Sequence, residues 1–225
     1  MVVQEQHMLV NNYFHLRSSA YDLLRRFFLE EPNRQLLRSL QGGYIGSFPF
    51  KQENALIQEG VTDISIFLAQ HDLDEVFDSL HWDYTKMFIG PYELPAPLWE
   101  SAYLNEERLL FQKETLIVRQ AYLKYCFLPA QFGKEADDHL GYELDFLYQL
   151  NELTMTKIEE EEFPTEMIID QIRFIEEHLL KWVPILKEKI VQHAQFDFYK
   201  GMVKILQGFL EIDKVCLEEL VTIKN

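Results

Sequence analysis

Basic residues, cysteines and conformationally loose residues are all scarce in this chain, and each scarcity removes a class of function. Lys and Arg number 21 against 37 Asp and Glu, a formal net charge of −16. A surface of that sign repels phosphate backbones and anionic lipid, and the one dense basic spot, Arg25-Arg26, falls inside an apolar helical pattern. Nucleic acid is therefore not an expected partner. The two cysteines, Cys126 and Cys216, lie far apart in apolar helical contexts. That pattern predicts buried free thiols in a reducing compartment, not a disulfide framework. Gly and Pro are sparse, nine and eight positions in 225, while hydrophobic residues make up 48% of the chain, so disorder and collagen-like structure are excluded. No run of about 18 uncharged apolar residues occurs, which argues against stable membrane insertion. The opening MVVQEQHMLV lacks a basic stretch leading into a long apolar run, so a secretory leader is not expected and the cytoplasm is the expected location.

Familiar catalytic patterns are missing as well. There is no GxxxxGK[ST] or GxGxxG to cradle phosphate, and no GxSxG nucleophile turn. The seven histidines form no HExxH and no paired ExxH ligands for facing helices. Asp78 and His81 are spaced i, i+3, but a single pair of this kind reads as two side chains facing solvent. The expectation is a protein with no catalytic residues, no metal and no cofactor, and not an enzyme.

What is present is helix, almost throughout. Apolar residues recur at helical spacing from about Gln4 to Glu30, and Pro32 stops that run. Asn33 can cap a short helix with Leu36, Leu37 and Leu40 inward, ended by Gly42-Gly43. A third helix runs from about Gln52 to Ala69 with Gly60 interrupting it. Asp72 with Glu75 marks the cap of a fourth, which ends near Phe88. The prolines of GPYELPAP then impose an ordered, extended loop, followed by a short turn at Trp99–Tyr103. A helix from Asn105 or just beyond reaches Tyr125 and is broken by Pro129. Helices from about Asp138 to Thr154, Thr165 to Trp182, Pro184 to His193, and Asp197 to Glu211 with a terminal helix to Lys224 complete the chain. No segment alternates like a strand bounded by hairpin turns. The predicted fold is all-α: a single compact multi-helix domain, residues 1–225, with an N-terminal part to about 128, a hinge at about 129–138 and C-terminal helices from about 139.

Three segments carry a resemblance: DYTKMFIGPYELPAPLWESAYL (Asp83–Leu104), VRQAYLKY (Val118–Tyr125) and EADDHLGYELDFLYQL (Glu135–Leu150). Their order and spacing resemble the TorD/DmsD family of cytoplasmic molybdoenzyme maturation chaperones, related to NarJ. More loosely, the likeness extends through Phe174–Ile190 and Phe198–Asp213. The resemblance implies an all-helical, non-enzymatic protein that binds the twin-arginine signal peptide of a molybdopterin oxidoreductase and assists cofactor insertion before export. The folded part of that client would be a second partner.

The family's aromatic-x-x-Leu-Phe motif falls on Tyr84, Met87 and Phe88, with Met in place of Leu. Its Gly-Pro and Ala-Pro-x-Trp-Glu segments fall on Gly90, Pro91, Ala96, Pro97, Trp99 and Glu100. Its Glu-Pro-x-Asp-His motif falls on Glu135, Asp138 and His139, with Ala136 in the proline position. The resemblance thus makes Tyr84, Met87, Phe88, Gly90, Pro91, Pro97, Trp99, Glu100, Asp138 and His139 the expected peptide-binding set.

Read from the residues alone, Asp138 is an N-cap, with Asp137 and Glu135 favouring the positive end of the helix dipole. In the functional reading these acids face a groove for a cationic leader, while Tyr84, Met87 and Phe88 offer it apolar area; helical spacing fits core positions equally well. One further alternative stands beside this one, together with an expectation about assembly. The chain could be an acidic helical scaffold or regulatory protein binding a folded partner, and the joint at 129–138 would let the C-terminal helices exchange to form a swapped homodimer.

Overall fold

The computed structural model describes residues 2–104 and 110–224. Among these, regular structure is helical: α1 (Val2–Leu29), α2 (Arg34–Ser39), α3 (Ala55–Gln70), α4 (Leu73–Tyr84), α5 (Ser101–Leu104), α6 (Lys113–Lys124), α7 (Leu140–Glu159), α8 (Thr165–Phe174), α9 (Leu180–His193) and α10 (Asp197–Lys224). No strand occurs among the described residues; two isolated bridges, Trp99 with His139 and Phe132 with Glu135, are the extended pairings. The all-α expectation holds. Asn105, one candidate start for the sixth helix, lies outside the described residues.

Local signals account for most helix ends. The Asn33 side chain accepts from the Leu36 N–H at 2.9 Å, and Asp72 accepts from Asp74 and Glu75 N–H groups at 2.8 and 3.3 Å. Each satisfies donors that a helix start leaves open. The fourth helix continues as a π turn, Thr85–Ile89, and stops at Gly90, whose φ of 103° is open to glycine but strained for a residue with a Cβ.

Long helices pair across the sequence. α1 turns Phe14, Arg17, Tyr21, Leu24 and Phe28 inward at helical spacing and packs on α7. α10 is buried nearly all round over its first half, from Phe198 through Leu210, and packs on α3, α8 and α9. The α3–α10 crossing explains Gly60. A Cβ there would overlap the Gly201 carbonyl oxygen, so the glycine permits close backbone approach within an unbroken helix. It does not interrupt α3 as the sequence suggested.

Three other expectations change. The expected Thr165–Trp182 helix is α8, a π turn at Ile175–Leu179 and the start of α9, so Pro184 lies inside α9 and does not begin it. The last two expected helices are one, α10. The cysteines are both free but not buried: Cys126 is exposed just beyond α6 at φ 55°, and Cys216 is half-buried. Apolar neighbours in sequence misled here, because Cys126 falls past the last helical turn.

One buried polar cluster locks the helices together. Arg17 donates through Nε and Nη2 to the two carboxylate oxygens of Asp213 at 2.6 and 3.0 Å, and through Nη1 to Asn151 and Gln171 at 2.6 and 2.9 Å. Tyr13 and Tyr21 hydroxyls donate to the same carboxylate at 2.8 and 2.7 Å. Arg17, Asn151, Gln171 and Asp213 are all fully buried, and they belong to α1, α7, α8 and α10. Burial, with the Asp213 charge adding, pushes both tyrosine hydroxyls well above their ordinary range.

Candidate functional site

The sequence motifs separated by the α5–α6 region meet in space. Residues 98–100 run beside 138–140: the Glu100 N–H donates to the Asp138 carbonyl at 3.0 Å, and the Leu140 N–H to the Leu98 carbonyl at 2.8 Å. Around this short strap the side chains interlock. The Trp99 indole N–H donates to Glu135 Oε1 at 2.9 Å, and its ring meets His139 edge-on at 5.5 Å between centroids. The Glu100 carboxylate pairs with His178 Nδ1 at 2.9 Å. Asp138 accepts from the Ser101 N–H at 2.8 Å and the Thr115 hydroxyl at 2.7 Å, while Asp137 pairs with Arg119.

This arrangement corrects the capping assignment. His139, not Asp138, caps α7, its Nδ1 accepting from the Gly141 N–H at 3.1 Å. Burial lowers the His139 pKa to about 4 against the opposing pull of Glu135 and Asp138, so the ring is neutral and free to accept that bond. Asp138 and Asp137 are fully buried; Asp138 spends both oxygens inside the protein, and Asp137 spends one on Arg119. They do not face an open groove in this structure. Asp138 instead ties the strap to α5 and α6.

The aromatic motif is also inward. Tyr84, Met87 and Phe88 are 6%, 0% and 5% exposed, with Tyr84 and Phe88 edge-on to one another at 4.9 Å and both rings near Tyr199 of α10. They pack beneath the surface and present no open apolar area. The exposed apolar groups of this region are their neighbours, Trp82, Ile89 and Tyr92 at 68%, 63% and 87%. Glu100 is likewise buried, while Trp99 and His139 are half-buried and Gly90 and Pro91 turn the chain at the surface.

A cleft of about 390 Å³ opens between the Pro-rich loop and α9. Leu94, Pro95, Pro97, Tyr103 and Ile185 give it apolar walls, with Glu93 on the loop side and Lys189 and His193 on α9. Of the ten residues expected to bind peptide, Pro97 lines this cleft. Ile185, Lys189 and His193 were not anticipated, although their i, i+4, i+8 spacing places them on one face of α9. Thr115, Arg119 and His178, which hold the strap, were also missed, because nothing in the local sequence reports a partner on another helix. Among the described residues no group of three or more His, Cys, Asp or Glu side chains is arranged to hold a metal ion, and no helix is long and apolar enough to cross a membrane.

Comparison with known proteins extends over most of the chain. The family model described as nitrate reductase delta subunit matches residues 51–188. Chaperone protein TorD of Vibrio cholerae strain El Tor Inaba N16961 is 35% identical over 206 residues, 91% of this chain and 93% of that protein. TorD of Aliivibrio salmonicida is 28% identical over 206 residues, 91% and 95% of the two chains. TorD of Aliivibrio fischeri is 33% identical over 131 residues, 58% of this chain and 60% of that one.

Proposed function

The chain belongs to the nitrate reductase delta subunit family, in which its TorD relatives are named chaperones, and from that membership we propose that it matures an exported redox enzyme by holding the enzyme's leader. It is a chaperone of that family and not an enzyme. The finer reading is that it binds the twin-arginine signal peptide of a molybdopterin oxidoreductase in the cytoplasm. It retains the client until cofactor insertion, which it assists, and then releases it for export.

The observation that carries this reading is the apolar cleft beside the Pro-rich loop. A leader needs a place for a short hydrophobic run and a negative environment for two arginines. The walls from Leu94, Pro97, Tyr103 and Ile185 suit the first, and Ile89 and Tyr92, just before Leu94 in the chain, are exposed. Glu93 and the net charge of −16 supply the second. In this reading the ten expected residues divide by task. Gly90, Pro91 and Pro97 shape the surface; Tyr84, Met87 and Phe88 form the layer beneath it; Trp99, Glu100, Asp138 and His139 brace the loop that presents it.

The test is calorimetry with a synthetic leader containing paired arginines and an apolar run. Ile185 is 39% exposed, so Ile185→Asp leaves the core intact while placing charge in the cleft. Burying an aliphatic side chain contributes roughly 1.5–3 kcal/mol, so the variant should bind on the order of tenfold to a hundredfold more weakly. Unchanged affinity in the folded variant would move the leader site elsewhere.

A further inference from the structure

Glu143, one turn into α7, is fully buried, and neither of its carboxyl oxygens accepts a hydrogen bond from an N–H or O–H group. Among the described residues no Lys or Arg pairs with it. Its carboxyl group lies against that of Glu100, with Asp138 and the Trp182 indole also close. Glu100 is itself buried and is held on its other side by His178. Two adjacent carboxyl groups in a desolvated space do not both ionise, because the second charge has neither water nor a cation to stabilise it.

We propose that Glu143 is kept as a neutral carboxylic acid that donates a hydrogen bond to the Glu100 carboxyl group, making Glu143, Glu100 and His178 a proton latch between the Trp99 strap and the helices after it. Glu100 belongs to the strap, Glu143 to the first turns of α7, and His178 to the π turn before α9. The shared proton therefore joins three segments at one point. The proposal stands on this cluster and does not depend on leader binding.

Burial and the neighbouring acids favour the protonated state, while the Trp182 indole pulls the other way. Asp138 faces the pair from the hinge, with its own oxygens committed to Ser101 and Thr115. Asp137 lies next to it and takes Arg119. From α6 the Tyr122 hydroxyl donates to the Asp137 carbonyl at 2.9 Å, and from α9 comes the neutral Trp182 ring. Burial first, then Glu100 and Asp138, hold the Glu143 carboxyl well above the ordinary carboxylate range. A raised folded-state pKa means that the folded protein binds one more proton than the unfolded chain between the two values. The latch is complete below the ordinary glutamate range, and its contribution is lost as pH rises through the folded-state value. On release the proton passes to solvent, and the two carboxylates left behind repel.

The experiment uses the full chain labelled with ¹³C at glutamate carboxyl carbons, titrated by NMR, with Glu143→Gln as the assigning variant. One resonance should remain in the protonated position at neutral pH and be missing from the variant. In parallel, the urea midpoint of wild type relative to Glu143→Gln should fall as pH rises above the ordinary glutamate range, because Gln has no proton to lose. If every glutamate resonance of folded wild type ionises in the ordinary range, the latch does not exist. If a protonated resonance persists in a folded Glu143→Gln, or the two midpoints keep a constant difference, the proton belongs elsewhere. Should the variant not fold, the wild-type titration alone decides.

Discussion

Removing Asp213 should unlock the helix assembly. Its carboxylate receives both ends of the Arg17 guanidinium and two tyrosine hydroxyls, all in a fully buried site. Asp213→Ala leaves the Arg17 charge with the amide oxygens of Asn151 and Gln171 alone, strands the Tyr21 hydroxyl and leaves the Tyr13 hydroxyl with the residue 213 backbone carbonyl alone. Breaking a buried pair by deleting one partner costs about 3–5 kcal/mol, a large share of the ~5–15 kcal/mol that holds a typical domain folded. Arg17→Met leaves the complementary fault, a buried carboxylate whose remaining donors are two tyrosines. The double variant removes both charges together, so it should lose about 2–3 kcal/mol less than the sum of the singles. Urea unfolding followed by circular dichroism measures all three. An Asp213→Ala variant within about 1 kcal/mol of wild type would be the behaviour of a solvent-screened pair, and would refute the claim that this cluster fixes α1 against α7, α8 and α10.

Gly60→Ala should destabilise by about 1–3 kcal/mol, because the new methyl overlaps the Gly201 carbonyl at the α3–α10 crossing and the backbones must part; a thermal melt equal to wild type would contradict that close approach. Asp138→Ala strands the Ser101 N–H and the Thr115 hydroxyl at about 1–3 kcal/mol for each unsatisfied group, and should speed amide exchange at Glu100 and Ser101 relative to α10. Exchange that is unchanged there would mean Asp138 does not hold the strap. Cys126 should react with a maleimide in the folded protein well before Cys216, whose thiol burial pushes up to about 11; equal rates would place Cys126 inside.

The parts of this fold that were legible in the sequence are those set by neighbours in the chain. Asn33 and Asp72 were readable as caps because a cap bonds two or three residues ahead, and Leu36, Leu37 and Leu40 were readable as core because a helix repeats its face. Gly60 was misread because its reason, the Gly201 backbone, is remote in sequence. Arg17 was invisible for the same cause: its partners lie on three other helices. At the site, motif order pointed to Trp99, Glu100, Asp138 and His139, which do meet, yet spacing could not tell an acid that faces outward from one whose oxygens are spent on Ser101 and Thr115. The cleft wall on α9 carries no motif at all. Ile185, Lys189 and His193 become a surface only once the Pro-rich loop is laid across them.

The central claim is that this chaperone recognises a leader by its paired arginines and its apolar run together. The most direct measurement is calorimetric titration of the full chain with three peptides: the intact leader, one with both arginines replaced by glutamine, and one with the apolar run replaced by serines, each at low and high salt. Exposed ion pairs contribute about 0–1 kcal/mol and are screened, whereas apolar burial is not. The account predicts saturable one-to-one binding of the intact leader that largely survives high salt, a modest loss without the arginines and a severe loss without the apolar run. No saturable binding of the intact leader, or equal affinity for all three peptides, would contradict it.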